Sequence, residues 1–131
     1  MKVLFVGVYR EGTGWGEAAT SSLRSLVAGG LDVVARPHIL SGNVTPPKDI
    51  LALEAKSSHG CEAVIQHTLP HHMDFSGHFR RNIAIYETET SHFRHSNWAS
   101  RLNLMTEAWV PNRQMVDASR QSGVTIPIEV V

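Results

Sequence analysis

Short apolar runs rich in branched side chains alternate in this chain with stretches of helical spacing, and that alternation restricts the fold more than any other feature. Val3 to Val8 is an unbroken apolar run, the pattern of a strand covered on both faces in a parallel sheet. Gly12-Thr13-Gly14-Trp15-Gly16 follows. Ala19, Leu23, Leu26 and Val27 then fall at the spacing of one helix face until Gly29-Gly30 stops it. Leu31 to Ala35 is a second strand, closed by Pro37 after Arg36. Ser41 to Pro47 reads as loop, and Lys48 to Ser57 as a short helix burying Ile50, Leu51 and Leu53, with Gly60 beyond it. Ala63-Val64-Ile65 forms a third strand and Asn82 to Tyr86 a fourth. His95 to Leu104 is a helix pattern with Trp98 and Leu102 one turn apart, and Glu107 to Val110 a fifth strand ended by Pro111. Asn112 caps a helix to Ser122 that Gly123 stops, and Ile126 to Val131 is a sixth strand. The expected fold is α/β: a Rossmann-like three-layer α/β/α sandwich with a mostly parallel six-stranded sheet, one domain over 1–131.

A chain of 131 residues, 42% of them hydrophobic, can bury a core without a disulfide or metal to hold it. Twelve basic and twelve acidic side chains cancel, so bulk charge gives no support to nucleic acid as a partner. The lone Cys61 excludes an internal disulfide and a cysteine metal cluster and is compatible with the cytoplasm. The opening apolar run is too short for a signal peptide, and no segment has membrane-spanning length. Because the chain stops on Val130-Val131 inside an apolar strand, it is expected to be part of a longer protein.

The Gly12–Gly16 loop joins a buried strand to a helix, where glycines let backbone approach a ligand and helix N–H groups favour an anion. A tight βα turn uses glycines equally well. A dinucleotide fingerprint would place a third glycine where Glu17 stands and an acidic residue where the second strand ends in Ala35-Arg36-Pro37; both departures weigh against NAD. Trp15 is either a stacking platform for a sugar or a lid over the core. His67, at the end of the third strand, is a candidate for hydrogen-bonding a sugar hydroxyl. With His71, His72 and His78 it matches no recognised zinc spacing, and no metal is expected. Glu87, Thr88 and Glu89 follow the fourth strand, where a carboxylate can bind hydroxyls, act as a base or simply solvate a loop. Asn112 and Arg113 open a helix and suit a phosphate, although plain capping also accounts for Asn112. Trp98 and Trp109 sit on regular elements among apolar neighbours and read as packing residues.

The succession Tyr86-Glu87-Thr88, Trp98, Leu102-Asn103 and Glu107-Ala108-Trp109-Val110-Pro111-Asn112 resembles the N-terminal domain of retaining glycosyltransferases of the GT-B fold. Ser122-Gly123-Val124 and Pro127-Ile128-Glu129-Val130-Val131, together with the opening strand and its glycine loop, extend the resemblance over nearly the whole chain. It implies an acceptor-binding half of an enzyme that moves a sugar from a nucleotide-diphosphate sugar to an acceptor hydroxyl. By that resemblance Gly14, Gly16 and Arg113 lie near the donor diphosphate, and His67 and Glu87 near the sugars. No cofactor is implied beyond the nucleotide sugar as donor substrate. The partners implied are a sugar or glycan acceptor, the nucleotide sugar and a C-terminal domain that this sequence lacks, with self-association through the apolar face left exposed. The implied location is the cytoplasm, with peripheral membrane attachment open to the full-length protein. The alternative is a non-catalytic Rossmann-like module that binds a nucleotide or other small ligand.

Overall fold

A computed structural model describes residues 1–88 and 90–131; Glu89, named above beside Glu87, lies outside the described residues. The strands are β1 (Lys2–Gly7), β2 (Asp32–Pro37), β3 (Ala63–His67), β4 (Arg81–Ile85), β5 (Glu107–Val110) and β6 (Ile128–Val130). Between them lie α1 (Gly14–Ala28), α2 (Lys48–Glu54), α3 (Trp98–Leu102) and α4 (Arg113–Gln121), with a 3-10 turn at Pro70–His72. The strands form one six-stranded sheet of order β2-β1-β3-β4-β5-β6 in a Rossmann-like α/β/α architecture. The β1–β2, β1–β3, β4–β5 and β5–β6 pairings are parallel. The chain divides into two compact units, 1–67 and 68–131.

In the N-terminal unit β1 has neighbours on both sides, and Phe5 stands level with Ala35 of β2 and Ile65 of β3. All five residues of β3 are buried, which explains its lack of polar alternation. Phe5, Leu23 and Ile50 are fully buried, each contributing roughly 1.5–3 kcal/mol of hydrophobic stabilisation. Val27, expected on the buried face of α1, is 43% exposed; Ala19 and Leu23 carry that face instead. Gly30 leaves α1 with φ +90°, a conformation that costs a side-chain-bearing residue about 1 kcal/mol or more. The second helix stops at Glu54, short of the expected Ser57. There Arg36 of β2 donates to the carbonyls of Glu54 (2.9 Å) and Lys56 (2.7 Å), and so occupies acceptors that end the helix.

In the C-terminal unit Tyr86, Phe93, Leu102, Met105, Val110 and Met115 form the centre of a continuous core, with Trp98 packed on its margin. The ring of Phe93 meets Tyr86 edge-on at 6.2 Å. The Ser119 hydroxyl donates to the Met115 carbonyl (2.7 Å), so it accepts from the Tyr86 hydroxyl (2.7 Å). Burial raises the Tyr86 pKa, which keeps that donor protonated.

The third helix is shorter than the expected 95–104 because side chains take over its ends. The Ser96 hydroxyl donates to the Phe93 carbonyl (2.7 Å) and accepts from the Trp98 amide (3.2 Å), a local turn that competes with helix. Asn103 turns outward, donating to the Gly123 carbonyl (2.9 Å) and accepting from the Thr125 amide (2.8 Å). Similarly, β6 begins at Ile128 rather than Ile126. Arg120 donates to the carbonyls of Val124 and Ile126, both at 2.8 Å, and holds that segment as a turn.

The Asn112 side chain accepts the Met115 amide at 3.0 Å and so caps α4, as expected. Asn112→Ala is expected to cost about 1 kcal/mol and Asn112→Asp much less; urea denaturation of the two variants checks this.

Candidate ligand site

Strand order reverses around β1: β2 lies on one side of it and β3 on the other. In open α/β sheets ligands bind at the carboxyl ends of strands beside such a reversal. His67 occupies that place as the last residue of β3, level with Gly7 at the end of β1. The Val8 amide donates to the His67 carbonyl at 3.3 Å. A side chain at Gly7 would crowd both the Phe5 ring (2.5 Å) and the His67 carbonyl (3.3 Å), so glycine keeps the two strand ends together.

The His67 ring lies 6.1 Å from Phe5, edge-on, with only 7% of the residue exposed. Burial pushes its pKa down to about 4, because an imidazolium cannot be solvated there. The imidazole is therefore neutral near pH 7, able to donate from one nitrogen and accept at the other. Its Nδ1 is buried and has no hydrogen-bond partner among the described residues. Such an atom costs roughly 1–3 kcal/mol while it stays unpaired, and ligand sites are where such a cost is tolerated.

The loop after β1 is tied down residue by residue. The Tyr9 hydroxyl donates to Glu54 at 2.7 Å, and Arg10 engages both oxygens of the same carboxylate, at 3.0 and 2.7 Å. The Arg10 partnership holds the Glu54 pKa below the usual carboxylate range, and burial pushes that of Tyr9 up. Glu11 turns the other way. One of its oxygens accepts the amides of Leu40 (3.1 Å), Ser41 (2.8 Å) and Gly42 (3.1 Å), which lower its pKa. Consecutive amides converging on one anion form a nest, and here the occupant is the chain's own carboxylate. Sequence reading did not single out Glu11, since nothing in its local spacing reports a loop thirty residues away.

Gly14 and Gly16 differ. A Cβ on Gly16 would lie 1.8 Å from the Glu11 carbonyl oxygen, whereas one on Gly14 would meet nothing within 4 Å. Close approach of the helix start to its own loop thus accounts for Gly16, and Gly14 faces open space. Trp15 is 38% exposed, and a groove of about 550 Å³ runs along α1 past Tyr9, Glu11, Thr20 and Pro46. His67 does not line that groove.

In the C-terminal unit Glu87 is exposed on the segment leaving β4, and Arg113 is exposed at the first position of α4. Trp98 donates its indole N–H to Nδ1 of His71 at 3.1 Å, and the His71 and His72 rings lie 4.2 Å apart. Among the described residues no three His, Cys, Asp or Glu side chains are grouped to hold a metal ion. No described helix is long and apolar enough to cross a membrane.

Comparison with protein-family models, curated proteins and solved structures finds no match. Fold and strand order define a Rossmann-like α/β domain of the general nucleotide- and small-ligand-binding kind.

Two outcomes test this geometry. The folded-state pKa of His67 lies below its unfolded value of 6.5, so the unfolded chain binds the proton first. The stability it contributes is complete above pH 6.5 and is lost as pH falls towards 4, to a total of about 3 kcal/mol. Denaturation across that window should show a steeper loss for the wild type than for His67→Gln. Second, Gly16→Ala should destabilise by roughly 1–3 kcal/mol through displacement of the Glu11 backbone, and Gly14→Ala should not; thermal unfolding compares them.

Proposed function

We propose that this chain is a small-ligand-binding module whose ligand enters beside the ends of β1 and β3 and is hydrogen-bonded by His67. The supporting observation is the buried, neutral imidazole with an unpaired Nδ1 at the reversal of strand order. A neutral imidazole suits a hydroxyl or amide, such as a ribose or sugar hydroxyl, better than a phosphate oxygen. The departures at Glu17 and Ala35-Arg36-Pro37 argue against a dinucleotide as the ligand.

The test is calorimetric titration with nucleoside diphosphates and nucleotide sugars. His67→Phe keeps the ring volume and removes the nitrogens. It should weaken binding about tenfold or more while the protein remains folded. Equal affinity in the variant, or no binding by any member of the panel, would remove His67 from this role.

A finer reading, the acceptor-side half of a glycosyltransferase, is supported by the Tyr86 to Asn112 resemblance. In that segment Tyr86, Leu102 and Val110 lie in one core and Asn112 is a cap. On this reading the donor is a nucleotide-diphosphate sugar and a second domain supplies the rest of its site. Gly14 and Arg113 serve the diphosphate in the full-length enzyme, and Glu87 serves the acceptor. The chain by itself is then expected to release no nucleoside diphosphate from nucleotide sugars, because oriented groups that stabilise the leaving diphosphate are missing. Turnover by the isolated chain in a coupled assay would overturn the half-enzyme reading without touching the His67 one.

A further inference from the structure

The groove of about 550 Å³ in the N-terminal unit lies between α1 and the chain that leads into α2. One wall is the stripe Glu17, Thr20, Ser21, Arg24, Ser25 and Ala28 of α1, whose spacing of three and four residues puts these side chains on one helix face. From Glu17 to Ala28 the helix rises roughly 16 Å, so the groove is elongated. The other wall is Val44, Thr45, Pro46 and Pro47, and its prolines bring no N–H donor. Glu11 joins at the Gly16 end, where the helix start passes against the Glu11 backbone.

The charges of this lining select a class. Arg24 is the one cation among the described lining residues, and its guanidinium is forked onto Asp49 at 2.9 and 3.1 Å. Lys48, next along the chain from Pro47, does not line the groove. The carboxylates are less committed. Glu17 is exposed, and its side chain has no partner among the described residues. The second oxygen of Glu11 receives only the Ser41 hydroxyl, at 3.3 Å. A phosphate would meet two carboxylates and no free guanidinium, and a neutral ligand would leave the charge of Glu17 unanswered. Tyr9, the one ring among the lining residues, is buried with its hydroxyl on Glu54, so a planar base has no open ring face there. An ammonium group donates three N–H bonds and supplies the opposite charge, and the hydroxyls of Thr20, Ser21 and Ser25 accept from further N–H groups. Methylenes attached to it would lie along Val44, Pro46, Pro47 and Ala28. We infer that this groove binds an elongated aliphatic amine, its ammonium held by Glu17 and the second oxygen of Glu11. The lining does not include His67, so the inference stands apart from the His67 reading.

The experiment titrates the whole isotope-labelled chain at constant ionic strength with putrescine and spermidine. Butanediol and succinate serve as the neutral and anionic counterparts of putrescine, and amide chemical shifts are followed. Saturable shifts of the Glu17, Thr20, Ser21, Ser25 and Thr45 amides by at least one amine are expected. Glu17→Gln keeps the side-chain shape and should weaken that binding roughly threefold or more. Ser21→Leu fills the groove from an exposed helical position and should weaken it about tenfold. Spectra of both variants should otherwise overlay the wild type, because both side chains are exposed. The assignment is overturned if neither amine saturates by roughly 100 mM, or if both variants bind as well as the wild type. It is equally overturned if butanediol or succinate binds as tightly as putrescine. Shifts confined to Gly7, Val8 and His67 would count for the strand-end site and against this one.

Discussion

The Glu54 carboxylate is the fixed point of the N-terminal unit. The Tyr9 hydroxyl and both the Nε and Nη2 of Arg10 converge on it, so the chain leaving β1 is fastened to the end of α2. Charge-assisted bonds of this forked kind are about twice as strong as neutral ones and fix direction as well as distance. Side chains of Arg10 and Glu54 are 18% and 22% exposed, so water competes with them only partly. Removing either would leave a half-buried charge without its counterpart, the costly half of any such pair. With Tyr9 and Arg10 fastened, Glu11 is directed into the amides of residues 40–42. The start of α1 then passes so close to the Glu11 carbonyl that only glycine fits at position 16.

Element types were legible because each strand is an apolar run and each helix has a periodic face, signals that reside in neighbouring residues. Boundaries were less so where a side chain bonds distant backbone. Ser96, Asn103, Arg36 and Arg120 each end or delay an element by taking carbonyls or amides beyond it, and no window of local spacing reports that. Val27 illustrates a different limit. It shares a helix face with Leu23 in projection, but at the last turn of α1 43% of it reaches solvent.

For the candidate site the position of His67 at a strand end was readable, while the property that makes it a candidate was not. Neutrality and an unpaired Nδ1 arise from Phe5, the fourth residue of a different strand, and from the burial of every residue in β3. Gly14 and Gly16 look equivalent in sequence, and only the path of Glu11 separates them. The histidine cluster shows the same dependence on tertiary placement, since one ring nitrogen of His71, Nδ1, accepts the Trp98 indole N–H.

These partnerships bear on what the ends of β1 and β3 can hold. All three arginines of the N-terminal unit are engaged internally: Arg10 with Glu54, Arg24 with Asp49, and Arg36 with backbone carbonyls. The amide nest formed by residues 40–42 is filled by Glu11. An anionic ligand would therefore have to displace an existing partner before gaining a guanidinium or that nest, and such an exchange returns little net free energy. Nδ1 of His67 has no partner to give up among the described residues. A hydroxyl or amide that reaches its Nδ1 gains a hydrogen bond in a dry setting and relieves an unpaired buried atom at the same time. On the proposed reading the N-terminal unit discriminates by neutral hydrogen bonding at the strand ends, because its three guanidinium groups already have partners.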